Sequence, residues 1–98
     1  MSKEIVLNDY TFLVSETDEK GNIIFANDDF CKVAGYHIDE LIGQPHNIIR
    51  HKDMPKVAFK DLWETVKKGN IWTGYVKNRA KNGDFYWVYA TVFPTVTS

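Results

Sequence analysis

Hydrophobic residues along this chain follow two rhythms, and the changeovers between them divide it into elements. Thr11 to Thr17 reads Thr-Phe-Leu-Val-Ser-Glu-Thr, a short run rich in β-formers, and Ile23-Ile24-Phe25 repeats that character after a polar break. The break, Asp18 to Asn22, contains Gly21 and Asn22, both tolerant of positive φ, so the two runs are expected to form a hairpin. The rhythm then turns helical. Phe30, Val33 and Ala34 share one face, Asn27-Asp28-Asp29 ahead of them offers N-cap side chains, and Gly35 is the expected stop. Ile38 to Ile42 adds one further turn, closed by Gly43.

From Gly43 to Pro55 neither rhythm holds, and the segment reads as an irregular connection. Asp53 is placed to cap the helix that follows, with Pro55 in its first turn. Val57, Phe59, Leu62, Trp63 and Val66 mark an amphipathic stripe that runs to Lys68, and Gly69 ends it. Lys67 and Lys68 sit where the negative end of the helix dipole favours cations. Two longer runs follow, Ile71 to Asn78 and Phe85 to Phe93, with Asn82-Gly83 between them as a hairpin signal. Two strands, short helices, one longer helix and two long strands predict an α+β domain: a meandering antiparallel sheet with short helices on one face.

Ninety-eight residues suffice for one domain, taken here as 11–98 behind a lead-in of residues 1–10. Three Trp, five Tyr and six Phe are generous for so small a core, so some of these rings are expected to line a ligand cavity. A net charge of −1 and the lack of a basic face argue against nucleic acid as a partner. Cys31 is the only cysteine, which excludes an intrachain disulfide and fits a reducing compartment. No stretch has the length of a membrane span, and the N-terminus lacks an apolar signal core. The expectation is therefore a cytoplasmic domain that does not itself insert into a membrane.

The catalytic signals are weak. Asp28, Asp29, Asp53 and Glu64 supply carboxylates without a nucleophile beside them, and the glycines are scattered rather than gathered in a phosphate loop. No pair among His37, His46 and His51 has the i, i+4 spacing of a compact metal site. The reading is a binding or sensing module, not an enzyme, with no metal. By spacing alone, Trp63 and Trp72 read as core indoles and Arg50-His51-Asp53 as a surface network.

Several segments together carry a family likeness. Gly21-Asn-Ile-Ile-Phe-Ala-Asn27, Ala34-Gly-Tyr36, Glu40-Leu-Ile-Gly43 and Lys81-Asn-Gly-Asp-Phe-Tyr-Trp-Val88, in that order, resemble a PAS domain. Gly43-Gln-Pro-His-Asn-Ile-Ile-Arg-His-Lys-Asp-Met-Pro55, followed by Trp63 and by Ile71-Trp-Thr-Gly-Tyr-Val-Lys-Asn-Arg79, is similar to the PAS domain of Aer-type aerotaxis receptors and of PAS-containing methyl-accepting chemotaxis proteins. The resemblance implies FAD bound without a covalent link and a redox or oxygen state reported to the output domain of a longer parent. It also implies Asn27, Arg50, His51, Asp53, Trp63, Trp72 and Asn78 as the FAD-binding residues, and a homodimer.

Light-sensing LOV domains carry a reactive cysteine where this chain has His46, so no thiol adduct is expected, and Cys31 reads as a small buried hydrophobe. The resemblance argues against haem, because the long helix holds no histidine; His51, at its start, is the one candidate ligand. The alternatives are a cofactor-free dimerisation and relay module, or a sensor of another small molecule. A PAS sheet has five strands, with the fifth between the first and the fourth. The chain ends at Thr95-Val-Thr-Ser98, where that strand should begin, which implies a truncated fifth strand or one borrowed from a second copy.

Overall fold

The computed structural model describes residues 2–94, and its elements follow the predicted order. Strands β1 (Ser15–Thr17) and β2 (Ile23–Ala26) pair antiparallel, with Ser15 opposite Ala26. β1 is shorter than the predicted Thr11–Thr17 because Asn27 takes over the backbone ahead of it. The Asn27 Oδ1 accepts from the Val14 N–H at 3.1 Å, and Nδ2 donates to the Phe12 carbonyl at 2.7 Å. The same Oδ1 accepts from the Phe30 N–H at 2.9 Å, which caps helix α1 (Asp28–Ala34). Gly35, at φ 77°, ends α1 in the left-handed conformation that only glycine adopts without strain.

Helix α2 (Ile38–Leu41) opens with a capping box. His37 accepts from the Asp39 N–H, and Glu40 accepts from the His37 N–H at 3.0 Å. The segment read as irregular contains a 3-10 turn, His46–Ile49, whose last residue is 1% exposed and belongs to the core. Helix α3 (Lys56–Lys67) begins after Pro55, and no side chain caps it. The expected Asp53 cap is not formed: the carboxylate turns instead to Lys77 Nζ, 3.2 Å away. Strands β3 (Trp72–Arg79) and β4 (Phe85–Val92) form a continuous antiparallel ribbon from the Trp72–Val92 pair to the Arg79–Phe85 pair.

The single meandering sheet becomes two separate two-stranded ribbons among the described residues. No described strand bridges β1 and β4, and the expected start of a fifth strand, residues 95–98, lies outside the described residues. The main core is built by one half of the chain. Ile23 and Ala26 from β2, Phe30 and Ala34 from α1, Leu41 from α2 and Ile49 form one buried cluster. Ile23, Ala34 and Leu41 have no exposed surface at all.

Candidate functional site

The second half of the molecule is packed differently. Strand alternation on β3 and β4 sets Trp72, Gly74, Val76 and Asn78 on one face, opposite Val92, Ala90, Val88 and Tyr86. Helix α3 lies on this inner side, because the Trp72 Nε1–H donates to Asp61 Oδ2 at 2.9 Å. Yet α3 buries none of its residues: Val57 is 70% exposed and Trp63 38%. Phe59, Leu62 and Val66 are half-buried, so the apolar stripe of α3 is only partly covered.

Polar groups stand on the inner face where apolar ones would pack. Asn78 is buried, and its cross-strand neighbour Tyr86 is wholly buried. The Tyr86 hydroxyl has no hydrogen-bond partner among the described residues. Burial pushes this phenol up to about 12; the Asn78 amide is near enough to oppose the shift but does not close a hydrogen bond to it. An orphaned buried hydroxyl costs ~1–3 kcal/mol. A buried amide beside an unpaired hydroxyl, on the face of the ribbon that α3 covers, suits the polar edge of a planar ligand.

The backbone of the connecting segment reaches β3 at the same level. Arg50 forms a bridge with Asn78, and the His51 N–H donates to the Lys77 carbonyl at 3.3 Å. Arg50 is extended, at φ −75° and ψ 128°, so Arg50 and His51 point to opposite sides. The Arg50 guanidinium lies 4.7 Å from the ring centroid of Phe59 on α3, on the inner side.

His51 goes the other way, with its ring edge-on to Phe85 at 6.1 Å. The Asp53 N–H donates to His51 Nδ1 at 3.0 Å, which places the proton of the neutral ring on Nε2. Lys77 Nζ joins Asp53 and sits 4.5 Å over Phe85 and 5.9 Å from Trp87. The Lys77 ammonium, hydrogen-bonded to Asp53, holds that carboxyl below its usual range.

The seven residues named by sequence therefore do not form one cluster. Asn78, Trp72 and Arg50 face the α3 side, while His51 and Asp53 join Lys77 and Phe85 on the opposite side. Trp63 rests against the β1–β2 turn, where a Cβ at Gly21 would meet its ring at 3.2 Å. Asn27 directs its amide to the backbone of residues 12, 14 and 30. Sequence reasoning missed Tyr86, Asp61 and Lys77. A signal for Tyr86 was present in the strand alternation, which sets it on the same face as Asn78 once the Asn82-Gly83 turn fixes the register.

Two surface cavities, of about 370 Å³ between α1 and the β3–β4 turn and about 240 Å³ beside α1 and α2, are lined by none of the seven residues. Among the described residues no helix is long and apolar enough to cross a membrane, and no group of three or more His, Cys, Asp or Glu side chains is placed to hold a metal ion.

Comparison with known proteins agrees with the fold. A model of the PAS fold matches residues 23–98. The aerotaxis receptor of Escherichia coli K12 is 58% identical over 90 residues, covering 92% of this chain and 18% of that protein. The nitrogen fixation regulatory protein of Klebsiella pneumoniae is 29% identical over 83 residues, covering 85% of this chain and 17% of that protein. The chain thus spans less than a fifth of the length of these relatives.

Among solved structures, a PAS domain from Colwellia psychrerythraea superposes with a TM-score of 0.77 at 26% identity, covering 87% of this chain and 71% of that one. An RNA-binding light-oxygen-voltage receptor gives 0.78 at 16% identity over 91% of this chain and 26% of its own, a likeness of fold alone. The chain belongs to the PAS-fold family.

Proposed function

We propose that this PAS-fold chain is the sensory domain of a longer signalling protein, binding FAD in the cleft between α3 and the β3–β4 ribbon and reporting redox state or oxygen. The observation that carries the reading is the buried Asn78 amide beside the orphaned Tyr86 hydroxyl. Identity of 58% to an aerotaxis receptor supports it. A flavin, when bound, supplies a reversible change of charge and protonation at one edge of a planar ring.

The residues of the chain give that change something to act on. The Asn78 amide both donates and accepts, and the Tyr86 hydroxyl donates; together they offer a polar edge inside an otherwise apolar face. The Trp72 indole supplies an aromatic wall, and Arg50, held over Phe59, keeps a cation at the mouth for an anionic arm. Arg50 and His51 are neighbours in the chain but face opposite sides of the ribbon. A shift at Asn78, bridged to Arg50, is thereby passed to the His51–Asp53–Lys77 group and to Phe85 and Trp87 beyond it. A bound state alters signalling only through such differential contacts.

The test is an absorption spectrum of freshly purified protein, followed by identification of whatever heat releases. A flavin spectrum and released FAD are expected. Colourless protein that takes up no added FAD overturns the reading.

The exposed outer face favours a second reading, a cofactor-free relay module that pairs with a second copy or with its own output domain. Tyr75 and Tyr89 are 71% and 61% exposed, their rings edge-on at 5.0 Å, and Trp87 is 47% exposed beside them. Colourless protein that elutes as a dimer, and whose Trp72→Ala and Asn78→Ser variants behave as the parent does, would decide for this reading.

A further inference from the structure

Trp72 is held in an unusual way. Gly74 follows it by two residues on the same face of β3, and the indole folds down over it. A Cβ built at position 74 would fall 2.6 Å from Cη2 and 2.8 Å from Cζ2 of the Trp72 ring, distances that real Cβ atoms essentially never show. The ring therefore fills the volume that any side chain at 74 would need. Gly74 has no positive φ, so backbone strain does not account for a glycine here. The indole on top of it does.

The second constraint comes from α3. The Trp72 Nε1–H donates to Asp61 Oδ2 at 2.9 Å, a solvent-exposed hydrogen bond that sets the direction of the indole N–H. Asp61 lies on α3, which buries none of its own residues. One ring thus ties the loosely covered helix to the ribbon, seated on Gly74 at one edge and held by Asp61 at the other.

The geometry points to Asp61 and Gly74 as positioning residues for Trp72. They fix the indole in one orientation across the cleft, and that preset wall selects a planar aromatic ligand that can lie against it. The ligand's identity as a flavin rests on the functional reading above; the fixing of the ring does not. A wall ordered before binding spares the ligand the entropy of ordering it, which is the general route by which preorganisation raises affinity. Asp61→Ala releases one end of the ring, and Gly74→Ala pushes out the other, so two unrelated changes should give one phenotype.

The experiment uses the 98-residue chain with 15N-labelled tryptophan, the Trp72 indole resonance being assigned through Trp72→Phe. In the absence of ligand, Asp61→Ala and Gly74→Ala are each expected to move that resonance and to speed exchange of its N–H by about tenfold. Asp61→Asn keeps an acceptor oxygen and should keep most of the protection. With FAD as titrant, Asp61→Ala and Gly74→Ala should weaken binding by about three- to tenfold, and Asp61→Asn by less than about twofold. Far-UV circular dichroism checks that each variant is folded, and Asp61→Asn against Asp61→Ala carries the comparison if Gly74→Ala is not.

An unmoved resonance in both Asp61→Ala and Gly74→Ala overturns the assignment. So does a moved resonance with FAD affinity unchanged. If the parent chain takes up no FAD while the resonance responds as expected, flavin is removed as the ligand and the positioning of Trp72 by Asp61 and Gly74 stands.

Discussion

The two halves of this domain are buried in different ways. From β2 to the 3-10 turn, apolar side chains close on one another until Ile23, Ala34 and Leu41 lose all contact with solvent. From His51 to β4, the apolar stripe of α3 stays partly in solvent, while Asn78, His51 and the Tyr86 hydroxyl are taken inside. The first half is finished by its own residues. The second has the pattern of a surface completed by something else, since burying a polar group without a partner destabilises a fold unless another role keeps it there. The difference separates the part of the chain that closes the core from the part on which the proposed function rests.

The largest effects should fall in the finished half. Leu41→Ala removes a wholly buried side chain, and the lost burial plus the remaining cavity should cost about 2–5 kcal/mol. Val57→Ala on α3, at a position 70% exposed, should stay within about 0.5 kcal/mol. Urea unfolding of the ligand-free chain measures both. Similar costs for the two would break the contrast, because α3 would then be part of the core.

Next in size is Asn27→Ala. It removes the cap of α1 and, with it, the bonds that hold Val14 and Phe12. Loss of an N-cap alone costs about 1 kcal/mol, so the additional backbone partners should bring the total towards 2 kcal/mol. The same urea series gives the value. A variant that is as stable as the parent but fails to bind FAD would instead move Asn27 into the ligand site that the family resemblance assigns it.

Tyr86→Phe should act in the opposite direction. The ring stays, and only an unpartnered hydroxyl leaves, so the ligand-free chain should be unchanged or more stable by about 1 kcal/mol. FAD binding should weaken at the same time. Destabilisation by more than about 1 kcal/mol would mean that the hydroxyl has a partner in the ligand-free chain and that the inner face is complete by itself.

How much of this was readable from sequence follows the range of the interactions. The Asn27 cap, the Gly35 stop and the Asn82-Gly83 turn are local, and each appeared where residue chemistry put it. The Asp53 cap failed because Lys77, twenty-four positions away, offered the carboxylate a better partner. Tyr86 stands in the sequence only as part of a motif, because its significance depends on what faces it across the strand pair. Arg50, His51 and Asp53 looked like one cluster because they are adjacent in the chain. Extended backbone sends neighbours to opposite sides, and only the placement of Phe59 and Phe85 shows which goes where.

The smallest expected effect is a pH slope in the finished half. His46 Nε2 lies 3.0 Å from the Ser15 Oγ, its ring edge-on to Phe30, and burial alone depresses its pKa below 6.5. The unfolded imidazole takes up a proton as pH falls through about 6.5, whereas the folded one resists. The unfolded state then binds more protons, so the contribution is full above that pH and is lost progressively as pH falls below it.

Asp53 and Glu40, held low by Lys77 and Lys81, lose their contributions only as pH falls past the ordinary carboxylate range near 3.8 to 4.5. A decline between about pH 6.5 and 5 is the expected mark of His46. His46→Gln has no proton to gain there, and its melting temperature should vary less than the parent's between pH 7.5 and pH 5. Equal slopes for the two proteins would place the titration elsewhere and leave His46 as a neutral tie between β1 and the 3-10 turn.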